Sequence, residues 1–203
     1  MEHISISKGN DKMGAISSVS LPPIVTCSAE ACKFCAKKCY AAKIARLRKT
    51  VRDAYARNLR ILLEDPETYW REVNAAVALV TFFRFHVSGD IYNEEYLENM
   101  VKVAENNKHC QILCFTKKFS LCNNYLKEHG SFPSNLHIIY SGWREMTMDN
   151  PFNQPEAHVL YKDGFTTAKD GAFYCSHSCF ECAVKARNCW ALQQGQQIIF
   201  KEH

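Results

Sequence analysis

Eight of the eleven cysteines in this chain stand in two tight groups. Cys27, Cys32, Cys35 and Cys39 are spaced C-x4-C-x2-C-x3-C, and Cys175, Cys179, Cys182 and Cys189 are spaced C-x3-C-x2-C-x6-C. Four thiolates this close in sequence surround one metal centre with little chain to order, so the closure entropy is small. Soft sulfur selects zinc, Cu(I) or iron–sulfur clusters over hard cations. The spacings come near the C-x2-C-x2-C-x3-C run that holds four-iron clusters, without matching it. Structural zinc prefers two C-x2-4-C knuckles. Cys32 with Cys35 and Cys179 with Cys182 would supply such a pair from the two ends of the chain. The expectation is an iron–sulfur protein with one or two [4Fe-4S] clusters on these eight cysteines, with zinc as the alternative at one site. Grouping by sequence is the simplest assignment, and a site mixing both groups stays open.

Arg84, His86, Ser88 and Asp90 form a second constellation, at the end of the aromatic run Thr81-Phe-Phe-Arg-Phe-His-Val87. Strand alternation would put Arg84, His86 and Ser88 on one face and Phe83, Phe85 and Val87 on the other. A polar row on a central strand needs partners, because an unpaired buried polar group costs about 1–3 kcal/mol. These four residues are the candidates for catalysis or ligand binding. Their plain structural roles would be bonds to backbone or a carboxylate, and a turn cap by Asp90. His177, inside the second cysteine group, reads as a loop residue, with metal ligation or support of a ligand as the sharper alternative. Cys110, Cys114 and Cys122 lack metal spacing and read as small buried hydrophobes.

The elements that must position these residues alternate in type. From about Ala41 to Glu64, Ile44, Leu47, Val51, Tyr55, Leu59 and Leu62 recur every three or four residues, which predicts one helix. Asp65, Pro66 and Glu67 open a second helix as N-cap, first-turn proline and first-turn acid. Strands are expected over 81–87, 110–115 and 136–140, with shorter ones at 157–161 and 197–200 and helices after Asn93 and from Ser120 to Glu128. The stretch up to Pro22-Pro23 reads as an irregular lead-in. Strands alternating with helices predict an α/β fold, a partial (β/α) barrel or open, mostly parallel sheet, with cysteine-rich loops at both ends of the chain. One domain over 1–203 is expected: lead-in and first cysteine loop at 1–40, a βα core at 41–165, and the second cysteine loop and final strand at 166–203. Ligands collect at the carboxyl ends of such strands. Ser88-Gly89-Asp90, Thr116-Lys117-Lys118 and Ser141-Gly142-Trp143-Arg144 should stand there.

Apolar residues make up 47% of the chain, and no apolar run reaches membrane-spanning length. The chain does not open with a basic stretch followed by an apolar one, and the cysteine count is odd. Both argue against a secreted disulfide framework and for a reducing cytoplasm. Residues 33–60 carry ten Lys and Arg against the single acid Asp53, in a chain of net charge +4. That asymmetry invites contact with nucleic acid through the helix spanning 43–60. Arg46, Lys49, Arg57 and Arg60 oppose the apolar seam, and a solvated helix face is the plainer account of them.

Several motifs occur together in one order: Gly9-Asn10-x-Lys12-x-Gly14, Ser20-Leu21-Pro22-Pro23, Thr26-Cys27, Cys35-x3-Cys39-Tyr40-Ala41 and Arg84-Phe85-His86-x-Ser88-Gly89-Asp90. In these the chain resembles the bacteriophage gene-product-88 family over most of its length. The resemblance implies a phage-encoded, cysteine-rich protein in a bacterial host cytoplasm, and no settled activity. A weaker similarity is to the radical S-adenosylmethionine superfamily, whose spacing Cys175-x3-Cys179-x2-Cys182 shares. That superfamily usually has an aromatic residue before the last cysteine, where this chain has Glu181. Its motif also follows the first strand, whereas Cys175-x3-Cys179-x2-Cys182 comes after the strands. The first cysteine group has the expected place, before a helix and a strand ending in Ser88-Gly89-Asp90, but not the spacing. Ser88-Gly89-Asp90 is similar to the Gly-Gly-Glu that cradles the methionine amine there. The expected function is thus cluster binding in redox, electron transfer or a catalytic role, with a redox partner or small-molecule ligand. The alternatives are a zinc-stabilised nucleic-acid-binding module and a radical S-adenosylmethionine-type enzyme.

Overall fold

The computed structural model describes residues 2–176 and 178–202. His177 lies outside the described residues, and its expected role is not addressed further. Strands β1 (Ile6–Ser7), β2 (Ser17–Val19), β3 (Phe82–Phe85), β4 (Gln111–Thr116), β5 (Leu136–Ser141), β6 (Glu156–Leu160), β7 (Phe173–Tyr174) and β8 (Gln197–Lys201) join one sheet. Its spatial order is β1-β2-β3-β4-β5-β6-β8-β7. Only β1 runs antiparallel to its neighbour, and every other pairing is parallel. The fold is therefore α/β with an open, mostly parallel sheet that does not close into a barrel.

The helices are α1 (Ala29–Cys35), α2 (Tyr40–Leu47), α3 (Lys49–Glu64), α4 (Pro66–Ala78), α5 (Glu94–Asn106), α6 (Phe119–His129) and α7 (Cys179–Val184). The expected caps form. Asp65 accepts from the Thr68 amide at 3.0 Å, and Asn93 accepts from the Tyr96 amide at 2.9 Å. Three expectations need correction. The seam over 41–64 belongs to two helices, because the backbone is extended at Arg48, and Leu47 is left exposed. The break lies between residues of good helix propensity, with no Gly or Pro to mark it. The first cysteine loop is largely helical, since Ser28 caps α1 by accepting the Ala31 amide. The lead-in is not irregular throughout: β1 and β2 extend the sheet beyond β3.

The sheet is buried on both faces, as parallel sheets are. On one face α3, α4, α5 and α6 pack Leu62, Tyr69, Val73, Leu97, Met100 and Phe119 against Phe83, Phe85, Ile112 and Ile138. On the other face a second core gathers Met13 and Ile16 of the lead-in, Leu113, Ile139 and Ile198 of the sheet, and Cys182 and Trp190 of the second cysteine segment. That segment is thus part of the core. The lead-in holds it through a tight loop in which the Asn10 side chain accepts the Lys12 and Met13 amides. Lys12 then offers its carbonyl to the Cys179 amide at 3.1 Å. Gly14, at φ +63°, lets α7 close in, since a Cβ there would stand 2.8 Å from Phe180 Cβ. Cys110, Cys114 and Cys122 are fully buried core residues.

Candidate metal centre

The chain leaving β3 is where the site is built. His86 has a left-handed backbone, φ +60°, which costs on the order of 1–3 kcal/mol for a non-glycine residue. The turn breaks the expected alternation. Arg84 stays on the second-core side, its guanidinium 5.0 Å from the Phe115 ring centre. His86 instead packs toward the helical face, its ring 5.4 Å from Tyr96 and 6.0 Å from Phe85, while Val87 packs against the second core. The polar row of Arg84, His86 and Ser88 is therefore not one face of a strand. The three residues still line a single cavity together with Asp90.

The segment is laced to the strand β2 exit. His86 N–H donates to the Val19 carbonyl at 2.9 Å, Val87 N–H to Ser20 Oγ at 3.2 Å, and Leu21 N–H to the Ser88 carbonyl at 3.1 Å. Thr26 Oγ1 donates to the Pro22 carbonyl and accepts the Asp90 amide at 3.2 Å. Gly89, at φ +78°, has no room for a Cβ, which would stand 2.6 Å from Thr26 Oγ1 and 2.8 Å from the Leu21 carbonyl oxygen. These contacts seat the first cysteine loop, beginning at Cys27, directly against the Ser88-Gly89-Asp90 turn. Asp90 spends its carboxylate on structure. It accepts from Thr116 Oγ1 at 2.6 Å, the Lys117 amide at 2.9 Å and its neighbour Ile91. Burial nevertheless pushes its pKa up.

The cavity has a volume of about 340 Å³ and opens at the carboxyl end of the sheet. Seven of the eight grouped cysteines line it: Cys27, Cys35, Cys39, Cys175, Cys179, Cys182 and Cys189. Cys32 does not, and its thiol points to the Ile24 carbonyl at 3.8 Å. Lys117, Ser141 and Trp143 line the cavity too, as their strand-end positions required. Lys12, His158 and Lys201 join them without having been singled out from sequence. Lys12 had a signal in the Gly9-to-Gly14 motif, whereas His158 and Lys201 become visible only through the pairing of β6 with β8.

Among the described residues, no three Cys, His, Asp or Glu side chains are gathered so that they would hold a metal ion as they stand. Four of the thiols are desolvated instead. Burial pushes Cys27 and Cys189 up to about 12, and it raises Cys35 and Cys179. The charges of Lys117 near Cys35, and of Arg84 near Cys179 and Cys189, act the other way. Sulfur also has ready hydrogen-bond donors. The Ala42 amide donates to Cys39 Sγ at 3.4 Å, Asn188 Nδ2 to Cys182 Sγ at 3.3 Å, and Ser176 Oγ lies 3.0 Å from Cys182 Sγ. Such donors, with nearby cations, are what a thiolate-bound centre needs around its sulfurs. The donor chemistry fits an iron–sulfur group, with ligand closure still to be made.

The family model described as Gene product 88 matches residues 4–195. The chain belongs to the gene product 88 family. The Gene 88 protein of Mycobacterium phage L5 is 29% identical over 179 residues, covering 82% of this chain and 71% of the relative. The Gene 88 protein of Mycobacterium phage D29 is 28% identical over 179 residues, covering 82% and 70%. No solved structure matches the chain. These matches bear out the resemblance to phage gene product 88 and lend no support to the one with the radical S-adenosylmethionine superfamily. Among the described residues of this gene product 88 protein, no helix is long and apolar enough to cross a membrane.

Proposed function

We propose that this gene product 88 protein binds iron–sulfur clusters, one or two [4Fe-4S] groups, at the carboxyl end of its sheet. The observation that carries the reading is the convergence of seven thiols from both ends of the chain on one cavity. Two carboxylates also line it. Asp90 is committed to hydrogen bonds and Glu202 to Lys38 at 2.9 Å, which leaves the thiols, with the unpartnered His86 ring, as donors for a metal. When bound, such a cluster supplies one-electron redox chemistry or a Lewis-acidic iron. The chain's own residues desolvate the thiols, hold hydrogen bonds to sulfur and place Arg84 and Lys117 where they favour thiolate over thiol. Because burial raises Cys27, Cys35, Cys179 and Cys189, loading these thiols releases protons, and it includes an adjustment of the cysteine loops.

Zinc at one site and a radical S-adenosylmethionine-type reaction are the narrower alternatives. Position favours the latter, with the first cysteine group between β2 and the strand that ends near Ser88-Gly89-Asp90, and cysteine spacing in that group disfavours it. Binding of S-adenosylmethionine by the iron-loaded protein would single it out. The test of the main reading replaces Cys35 and Cys179 in turn by Ala. Two separate clusters predict that each variant loses about half the iron, and one shared cluster predicts that each loses nearly all. Unchanged iron in both variants would contradict the reading.

A further inference from the structure

Five buried side-chain polar atoms among the described residues have no hydrogen-bond partner, and four of them sit within one five-residue stretch: Arg84 Nε, both ring nitrogens of His86, and Ser88 Oγ. His86 is 4% exposed and Ser88 3%. The Ser88 carbonyl lies toward the His86 ring, and the Tyr55 hydroxyl toward Ser88, without closing a hydrogen bond of normal geometry. Buried polar groups left this way are costly and rare, and several in one place mark a position for something the protein binds. All three residues are among those around the cavity between the two cysteine groups.

The charge around them has one sign to spare. Lys12, Lys38, Arg84, Lys117 and Lys201 line the cavity against Asp90 and Glu202. Both carboxylates are already engaged, Glu202 with Lys38 and Asp90 with Thr116, the Lys117 amide and Ile91. Among the described residues no carboxylate pairs with Lys12, Arg84, Lys117 or Lys201. Arg84 Nε is a donor only. Ser88 Oγ and a neutral imidazole each offer one hydrogen and one lone pair. Leu113, Phe115, Trp190 and Phe200 give the wall an apolar part beside the cysteines. A cavity of this size with a few unpartnered polar groups beside it and apolar side chains in its wall has the pattern of a small-molecule site.

We propose that Arg84, His86 and Ser88 form a binding site for a small oxyanion, a carboxylate or a phosphate group, between the two cysteine groups. Arg84 donates to one anionic oxygen, and Ser88 and His86 engage the others. Lys117 adds charge from behind, its ammonium resting 3.0 Å from Ser141 Oγ. The site shares the cavity of the proposed cluster but does not depend on metal being there.

The full-length protein is purified without oxygen and titrated with inorganic phosphate and, separately, with acetate, at ionic strength held constant with potassium chloride. Heat of binding and the nitrogen shifts of the His86 ring are read, and iron is measured on the same samples. The expected result is saturable one-to-one binding of at least one anion, with displaced His86 signals. Arg84→Gln should weaken it at least about tenfold, the loss of a charge-assisted hydrogen bond, and Ser88→Ala by about threefold. His86→Asn guards against misfolding, because asparagine tolerates the left-handed backbone, and it should weaken binding too. Which anion saturates tells a phosphate from a carboxylate source. Saturation by neither, or variants that bind like the parent, overturns the proposal. A parent that carries iron and binds neither anion overturns the oxyanion site and leaves the cluster standing. An iron-free parent that binds one of them does the reverse.

Discussion

His86 combines three costs in one residue: a left-handed backbone, full burial and no hydrogen-bond partner. Burial, with the Arg84 charge acting the same way, pushes its pKa down from 6.5 to about 3. Between those values the unfolded chain binds a proton that the folded chain refuses. The unfolded state is therefore favoured as pH falls, and stability should decline from about pH 6.5 toward pH 3. His86→Asn removes that titration, so its unfolding free energy should be flatter across this window than the parent's when measured by urea denaturation at several pH values. An unaltered slope would show that His86 is hydrated and charged in the folded protein. Gly89 makes the complementary case. Gly89→Ala forces a Cβ into Thr26 and the Leu21 carbonyl at a positive φ, and it should cost about 2–4 kcal/mol. A midpoint within error of the parent would mean that the turn relaxes without loss.

At the scale of elements, the basic helices answer a question that composition raises. Lys49 pairs with Asp53, Arg57 and Arg60 both pair with Glu2, and Arg60 also reaches Glu64. Arg57 further donates to Ser5 Oγ at 3.0 Å, tying the first strand region to α3. Local acids, Glu2 among them, thus meet much of a face that looked uniformly basic over 33–60. Exposed pairs of this kind contribute little to stability. Replacing Arg46, Lys49, Arg57 and Arg60 by Gln should leave iron content unchanged and nucleic-acid affinity weak in both proteins. Tight DNA binding by the parent at physiological salt, with a steep salt slope that the variant loses, would make this face a binding surface. The strands and caps of 65–141 were legible because periodicity and capping chemistry act locally. The break at Arg48, the capped helix across Cys32 and Cys35, and the two lead-in strands were less so. Each depends on what the segment packs against.

For the whole molecule, the parallel order of the strands explains how cysteines more than a hundred residues apart meet. The first group leaves β2, and the second follows β7 and packs beneath the sheet as core. Both groups and the β3 exit then open on one cavity at the strands' carboxyl end, where such sheets place ligands. Sequence spacing alone identified the thiols and the strand-end segments. It could not place Lys201 or His158 beside them, because those positions follow from pairing across the sheet, nor Lys12, whose turn is set against the second cysteine segment. Nor could it foresee the turn at His86 that sends Arg84 and His86 to opposite faces while both still reach the cavity. The central claim is the chemistry those thiols hold, and the most direct measurement is iron, acid-labile sulfide and zinc on protein purified without oxygen. The account predicts iron and sulfide in similar amounts, falling when Cys35 or Cys179 becomes Ala. Stoichiometric zinc with no sulfide, persisting after anaerobic reconstitution with iron and sulfide, would contradict it.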